Sequence, residues 1–355
     1  MDRISAYLGL MKDAGVDALL LTGQVNRRYA CGYDISEGMA ILSPKGCKYF
    51  TDSRYIEDAE RNLPQFDVRM VDREKSYIFR LQEAIRELSI ATLGYEEEEV
   101  TAGCFATWNK KLDASLVPMQ EEISRFRMVK GPEEISCIRR AQEITDKTFS
   151  DILQALRPGI TEKQVYAELT YLLYQNGSDG PSFSPVVVSG RNTSMPHGVA
   201  SDKVLEEGDF VTLDFGCLVD GYCSDMTRTV ALGSVTKEME QVYNIVLQAQ
   251  LVGLDATRAG VSGRDIDMAA RKVIENAGYG EFFGHGYGHG VGLEIHEAPN
   301  CSPTWGRPIA AGCVCSAEPG IYLPVKFGVR IEDLVIIREN GIENLTKSPK
   351  SLIIL

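Results

Sequence analysis

Apolar positions along the first 120 residues recur with two different periods. Stretches with an apolar residue every third or fourth position, Arg3–Ala14, Tyr55–Asn62 and Ser76–Leu88, predict amphipathic helices, and another is expected after Val100. Between them lie short segments dense in apolar and β-branched side chains: Ala18–Thr22, Met39–Phe50, Phe66–Val71, Ile90–Tyr95 and Ser115–Pro118. These predict strands, and helices interleaved with strands define an α/β domain.

The boundary of that domain is expected between Pro118 and Gly131, giving an N-terminal α/β domain over 1–122 and a second domain over 123–355. Glu133 opens a long helical pattern that reaches about Leu156. A diverged internal repeat follows. Arg157-Pro158-Gly159-Ile160-Thr161, with a helix ending at Asn176-Gly177, is echoed by Arg258-Ala259-Gly260-Val261-Ser262, with a helix ending at Ala277-Gly278. The offset is 101 residues at both ends. Thr or Ser suits each helix N-cap and Gly each C-terminal stop, so the second domain reads as a pseudo-twofold α+β unit.

Composition narrows the class. With 355 residues, 44% hydrophobic and 25% charged, the chain can bury two ordinary cores. Its formal charge of −13 argues against a nucleic-acid partner. The opening residues lack a basic flank and apolar signal core, and no apolar run approaches the roughly 18 residues of a membrane span. Nine cysteines without Cys-x-x-Cys spacing read as free thiols, so a cytoplasmic setting is expected. Cys217 and Cys223 have opposite side-chain parity on one predicted hairpin, which disfavours a disulfide between them. The run Glu96-Glu97-Glu98-Glu99 reads as a solvated helix start.

Candidate chemistry is concentrated late in the chain. All four histidines, His197, His285, His289 and His296, fall among carboxylates spaced like ligands: Asp214, Asp225, Glu318 and Glu332. Asp214 and Asp225 flank an Asp220-Gly221 turn signal, and pairing about it places them opposite or one diagonal step apart on one sheet face. Glu318 and Glu332 are symmetric about Val325 in a second reversal, again sharing a face. Two such facing carboxylate pairs call for a cation between them. His289 lies in a glycine-dense run, 284–292, whose missing side chains permit close backbone approach. That run lacks the Lys-Ser or Lys-Thr a phosphate loop requires. One imidazole and four carboxylates suit two divalent ions about 3.5–4 Å apart, Mn²⁺, Co²⁺ or Fe²⁺ before a thiolate-seeking ion.

Asp214, Asp225, His289, Glu318 and Glu332, in this order and in these local settings, resemble the five ligands of the pita-bread metallopeptidases: Xaa-Pro dipeptidase, Xaa-Pro aminopeptidase, methionine aminopeptidase and the related creatinase. The resemblance covers about 125–355. The phrases Met195-Pro196-His197-Gly198 and Ile295-His296-Glu297-Ala298-Pro299 are typical of the branch that acts on proline peptides. The first 120 residues resemble the creatinase N-terminal domain only in length and in the segment from Asn26-Arg27-Arg28-Tyr29 to Tyr33. The resemblance implies the pita-bread fold with its metals between the two halves, and hydrolysis of the Xaa-Pro bond of dipeptides or short peptides. It also implies two metals, Mn²⁺ foremost with Co²⁺ or Zn²⁺ accepted, and a homodimer in which Tyr29, Tyr33 and Arg54 reach a neighbouring active site. Glu318 is the implied general base. His197 and His296 would meet the substrate carbonyl or oxyanion, His285 would line the pocket, Phe183 and Ile295 would wall the prolyl ring, and Thr227 and Arg330 would support the ligating carboxylates.

Two alternatives remain at this stage: another C–N hydrolase on the creatinase fold, and a noncatalytic peptide-binding module. One departure bears on substrate length. Strict prolidases often carry an arginine after the His296-Glu297-Ala298-Pro299 phrase to bind a dipeptide carboxylate, whereas Asn300-Cys301-Ser302 follows here, with Arg307 the nearest cation in sequence.

Overall fold

The computed structural model describes residues 3–355, which divide into two compact units, 3–126 and 127–355. In the first unit strands β1 (Ala18–Leu21), β2 (Met39–Leu42), β3 (Lys48–Thr51), β4 (Asp67–Met70), β5 (Thr92–Tyr95) and β6 (Ser115–Pro118) form one sheet in the order β4-β3-β2-β1-β5-β6. Pairs β1–β2 and β2–β3 are antiparallel and the others parallel. Helices α1 (Arg3–Ala14), α2 (Gln24–Cys31), α3 (Ile56–Asn62), α4 (Tyr77–Leu88) and α5 (Ala102–Lys111) connect them, and α6 (Gln120–Met128) leads out of the unit. The core gathers Leu20, Ile41, Phe50, Leu81, Ile85, Leu93 and Trp108. Each element expected here forms within a few residues of its predicted range. α2 was not foreseen.

α2 also overturns the reading of Glu96. That carboxylate is fully buried and accepts hydrogen bonds from the Thr22 and Gly23 N–H groups and from Asn26 Nδ2. It supplies the anion at the start of α2, where the helix's first N–H groups lack partners of their own. The next helix start lies later, at Thr101, whose hydroxyl accepts from Cys104 N. Tyr29 departs from expectation too: its ring is buried against Tyr7 and Phe126, with the Arg3 guanidinium 4.7 Å above it, and so does not project from the unit. Tyr33 and Arg54 are exposed, Arg54 paired with Asp52 at 2.7 Å.

The second unit is built twice over. Helices α7 (Pro132–Ile152) and α8 (Glu162–Gln175) precede strands β7 (Gly180–Pro181), β8 (Val186–Ser189), β9 (Phe210–Phe215), β10 (Cys217–Val219), β11 (Tyr222–Cys223) and β12 (Met226–Ala231). Helices α9 (Lys237–Ala256) and α10 (Gly263–Asn276) precede β13 (Gly288–Gly290), β14 (Glu297–Cys301), β15 (Val314–Ala317), β16 (Gly320–Leu323), β17 (Phe327–Arg330), β18 (Asp333–Arg338) and β19 (Gly341–Asn344). Sheets run β12-β9-β8, β11-β10-β7, β14-β13-β15-β18-β19 and β16-β17.

The pseudosymmetry read from the repeat is visible in matching local chemistry. Thr161 caps α8 through Gln164 N, and Ser262 caps α10 through Asp265 N. Gly159 and Gly260 take φ of +95° and +84°, and each donates its N–H to a strand-like segment, at Leu205 O and Ile309 O. Each half has its own apolar core, Phe149, Leu169, Leu213 and Phe215 in one and Val246, Ile266, Ile274 and Val335 in the other.

Candidate metal centre

The first acid-bearing hairpin follows from its turn. Asp220 and Gly221, at φ +48° and +73°, form the two-residue reversal between β10 and β11, matching the right-handed twist of the strands. Farther from the turn, β9 and β12 pair Asp214 with Thr227, so Asp225 lies one diagonal step from Asp214 on the same face. In the second reversal, Gly320 pairs with Arg330 in β16–β17 and Ala317 with Asp333 in β15–β18. Both ladders keep one register. Glu318 and Glu332 therefore face each other where the ladders part: Glu318 N donates to Tyr287 O and Glu332 N to Thr227 O, at 2.7 and 3.1 Å.

His289 enters from β13. Any Cβ on the flanking Gly288 or Gly290 would collide with the Ser316 or Ala298 carbonyl, so only glycines let this strand approach so closely. His289 Nδ1 lies 3.1 Å from the Gly290 carbonyl oxygen, an acceptor that fixes N–H on Nδ1 and turns Nε2 toward the carboxylates. Nε2 is 3.1 Å from Glu318 Oε1 and 3.6 Å from Asp225 Oδ2. Asp225, His289 and Glu332 bring ligand atoms within 4.8 Å of one another.

The other carboxylates are held from behind. Asp214 is paired with the buried Arg330 guanidinium. Arg330 Nε donates to Thr227 Oγ1 at 3.0 Å, and that hydroxyl donates to Glu332 Oε2 at 2.7 Å. Arg330 Nη1 donates to Tyr322 Oη at 2.7 Å and to Pro196 O at 3.2 Å. One guanidinium thus braces two carboxylates and the segment that ends in His197. Ser316 links the remaining pair, accepting from His289 N and donating to Glu318 Oε1, both at 3.0 Å.

Crowding of charge sets the protonation. Burial raises Asp225 and Glu332 well above the usual carboxylate range, and the charges of neighbouring acids add to the effect. Burial also raises Asp214, against the pull of Arg330. Glu318 is the exception. Burial opposes it, yet the hydrogen bond and charge of His289 hold it down at about 2. His289, likewise against burial, is lifted to about 9 by Glu318. These two form an ion pair that shares one proton's worth of charge, and the set as a whole is an anionic nest suited to divalent ions.

A cavity of about 920 Å³ opens over these residues, lined also by His197, His285, His296, Phe183 and Ile295. His296 stacks edge-on to His289 with ring centroids 4.3 Å apart, and burial and the His289 charge lower its pKa. His197 is exposed at the rim. His285 lines the cavity with both ring nitrogens engaged: Nδ1 lies 2.8 Å from the Gly286 carbonyl oxygen and Nε2 3.0 Å from Tyr322 Oη. Burial lowers its pKa, so the neutral ring donates from Nδ1 and accepts the Tyr322 proton on Nε2. Arg307 instead lies 5.8 Å over the Trp305 ring and is not among the lining residues. Tyr322 and Ser316 were not singled out from sequence; Ser316 shares a strand face with Glu318 two residues on, which is the one signal it offered.

A helix-and-strand unit repeated about a pseudo-twofold, with acid pairs converging at its centre, defines a class. Residues 136–339 match the model of metallopeptidase family M24, residues 3–129 match the creatinase/prolidase N-terminal domain, and the chain belongs to that family as a peptidase. Its fold is the α/β N-terminal domain followed by the pseudo-twofold pita-bread domain. It is similar to peptidase YqhT of Bacillus subtilis, at 40% identity over 99% of this chain and 100% of the relative. Among solved structures it is similar to an Xaa-Pro dipeptidase from Bacillus anthracis, at TM-score 0.95 and 40% identity over 100% of this chain and 99% of the other. An X-Pro aminopeptidase from Thermotoga maritima superposes at TM-score 0.94 with 38% identity, covering 100% of both chains.

Proposed function

We propose that the protein hydrolyses the Xaa-Pro bond at the N-terminus of dipeptides or short peptides, using two divalent ions, Mn²⁺ foremost. The observation that carries this reading is the convergence of an imidazole and four carboxylates at the floor of a cavity walled by Phe183 and Ile295. Relatives named as Xaa-Pro peptidases support the choice of bond. Asp214, Asp225, His289, Glu318 and Glu332 would hold the ions, which supply a water activated near neutral pH and polarise the scissile carbonyl.

The chain's own groups do the rest. Neutral His289 is required for ligation, and once its proton leaves, Glu318 loses the imidazolium that depresses it and becomes the base of the site. Glu318 accepts the proton of the attacking water and delivers it to the departing proline nitrogen, which has no N–H of its own. His296 and His197 donate to the developing oxyanion. His285, through Tyr322, orients Arg330 and hence Asp214. A cytoplasmic homodimer belongs to the same proposal; the nine free thiols support a reducing compartment, and among the described residues no helix is long and apolar enough to cross a membrane.

The test is metal analysis of purified protein together with hydrolysis of an Xaa-Pro and an Xaa-Ala substrate under Mn²⁺. About two ions per chain and a strong preference for proline are expected. A metal-loaded protein that binds the proline peptide without cleaving it, or cleaves both alike, refutes the reading.

A further inference from the structure

We propose that Lys163 anchors the C-terminal carboxylate of an Xaa-Pro dipeptide; this rests on the Xaa-Pro reading above and deepens it. A dipeptide cut at its only bond carries a carboxylate one residue beyond the scissile carbonyl, and a cavity that accepts it needs a cation free to turn toward it. Asn300 and Ser302, which follow the His296-Glu297-Ala298-Pro299 phrase, do line the cavity, but both are neutral. The lysine and arginine side chains among the lining residues are Lys163 and Arg330. Arg330 is committed: its donors go to Asp214, Thr227, Tyr322 and Pro196.

Lys163 is placed differently. It occupies the first turn of α8, and the backbone beneath it is pinned. Buried Glu162 next to it accepts from Ser189 N and Oγ and Asn192 Nδ2 on one oxygen, and from Ser201 N and Oγ on the other. Lys163 N itself donates to Ser201 O at 3.1 Å. The helix start is thereby clamped to both ends of the segment that carries His197, so the root of the lysine is fixed relative to the reacting end of the cavity. Its tip is not fixed. The ammonium pairs with Asp202 at 2.9 Å, with 58% of the lysine and 85% of the aspartate side chain exposed. An exposed pair of this kind contributes little. A substrate carboxylate that enters the less polar cavity can replace Asp202 on the same ammonium, a charge-for-charge exchange that leaves no cation unpaired.

The experiment compares kcat/KM for an Xaa-Pro dipeptide and its C-terminal amide in wild-type protein, K163M, K163R and D202N, under saturating Mn²⁺. In wild-type protein the acid is favoured about tenfold. K163M brings the ratio close to one, mainly through KM on the acid; K163R largely retains the preference; and D202N, which removes the competing carboxylate, raises it two- to threefold. Unchanged melting temperatures would show that the exposed substitutions leave the fold intact. An acid-to-amide ratio that is the same in K163M as in wild-type protein overturns the anchor alone. Wild-type protein that cleaves neither substrate overturns the Xaa-Pro reading and the anchor with it.

Discussion

Removing metal should convert the centre into a pH-dependent weakness. Without ions His289 keeps a proton on Nε2 against Glu318, and its pKa rises from 6.5 to about 9. For a group raised in the folded state, the added stability is complete below the unfolded pKa and is lost as pH climbs through the folded one. His289 is 13% exposed, so solvent screens it little, and the shift corresponds to about 3 kcal/mol lost between pH 6.5 and pH 9. Burial, with the charge of neighbouring acids added, raises Asp225 and Glu332 too, and a raised carboxylate likewise loses stability as pH climbs toward its folded pKa. If His289 ligates a metal as proposed, the metal-loaded protein has already lost its proton. Its stability should be nearly flat over the same interval apart from repulsion due to the overall charge of −13, which both forms share. The assay is thermal unfolding of chelator-treated and Mn²⁺-loaded protein across pH 6.5–9. The gap between their melting temperatures should widen with pH by roughly 6–12 °C, taking about 2–4 °C per kcal/mol for a unit of this size. Isothermal calorimetry at pH 7.5 should register release of about one proton or more on Mn²⁺ binding. A constant gap, or an H289N variant that keeps the whole effect, would refute this account of the centre.

Other outcomes follow from the contacts behind the ligands. R330K cannot reach Asp214, Thr227 and Tyr322 at once, so Mn²⁺ affinity or kcat should fall by about 10–100-fold, measured by metal titration and turnover. Y322F removes the hydroxyl between His285 and Arg330 and should lower stability by about 1–2 kcal/mol, read by chemical denaturation. E162Q leaves the donors of Ser201 facing an amide nitrogen that cannot accept, which should cost about 1–3 kcal/mol and speed hydrogen exchange within residues 189–201. V325G should stabilise by about 0.5–1 kcal/mol, since Val325 sits at φ +57° with 86% exposure and glycine relieves that backbone without loss of packing.

What the sequence disclosed depended on distance along the chain. The acid-bearing hairpins were legible because an Asp-Gly turn and a symmetric pair of glutamates fix register within a dozen or so residues, and period two then decides which side chains share a face. The repeat was legible because its caps and stops are local chemistry. Glu96 was misread for the opposite reason: four consecutive glutamates look solvated, while its partners Thr22, Gly23 and Asn26 lie more than 69 residues earlier. α2 escaped notice because it is only eight residues long and begins after Gly23 with no capping side chain of its own, the anion at its start being that remote carboxylate.

The same logic separates the converging acids from the contacts that hold them. Arg330 meets Asp214 and Pro196 across 116 and 134 residues, and Thr227 meets Glu332 across 105. None of these pairings has a sequence period, because each joins one half of the pseudo-twofold unit to the other. The hairpins bring the acids to the midline, and burial there would leave their charges mutually repelling. Arg330 is placed where it can answer that repulsion and fix the orientation of the acids, which the proposed metal ligation would need. Its guanidinium plane reaches the Asp214 carboxylate, the Thr227 hydroxyl that grips Glu332, and the backbone just before His197. A point-charge ammonium could balance the same charge but could not orient all three, so the centre's preorganisation rests on a fork-shaped cation drawn from the opposite hairpin.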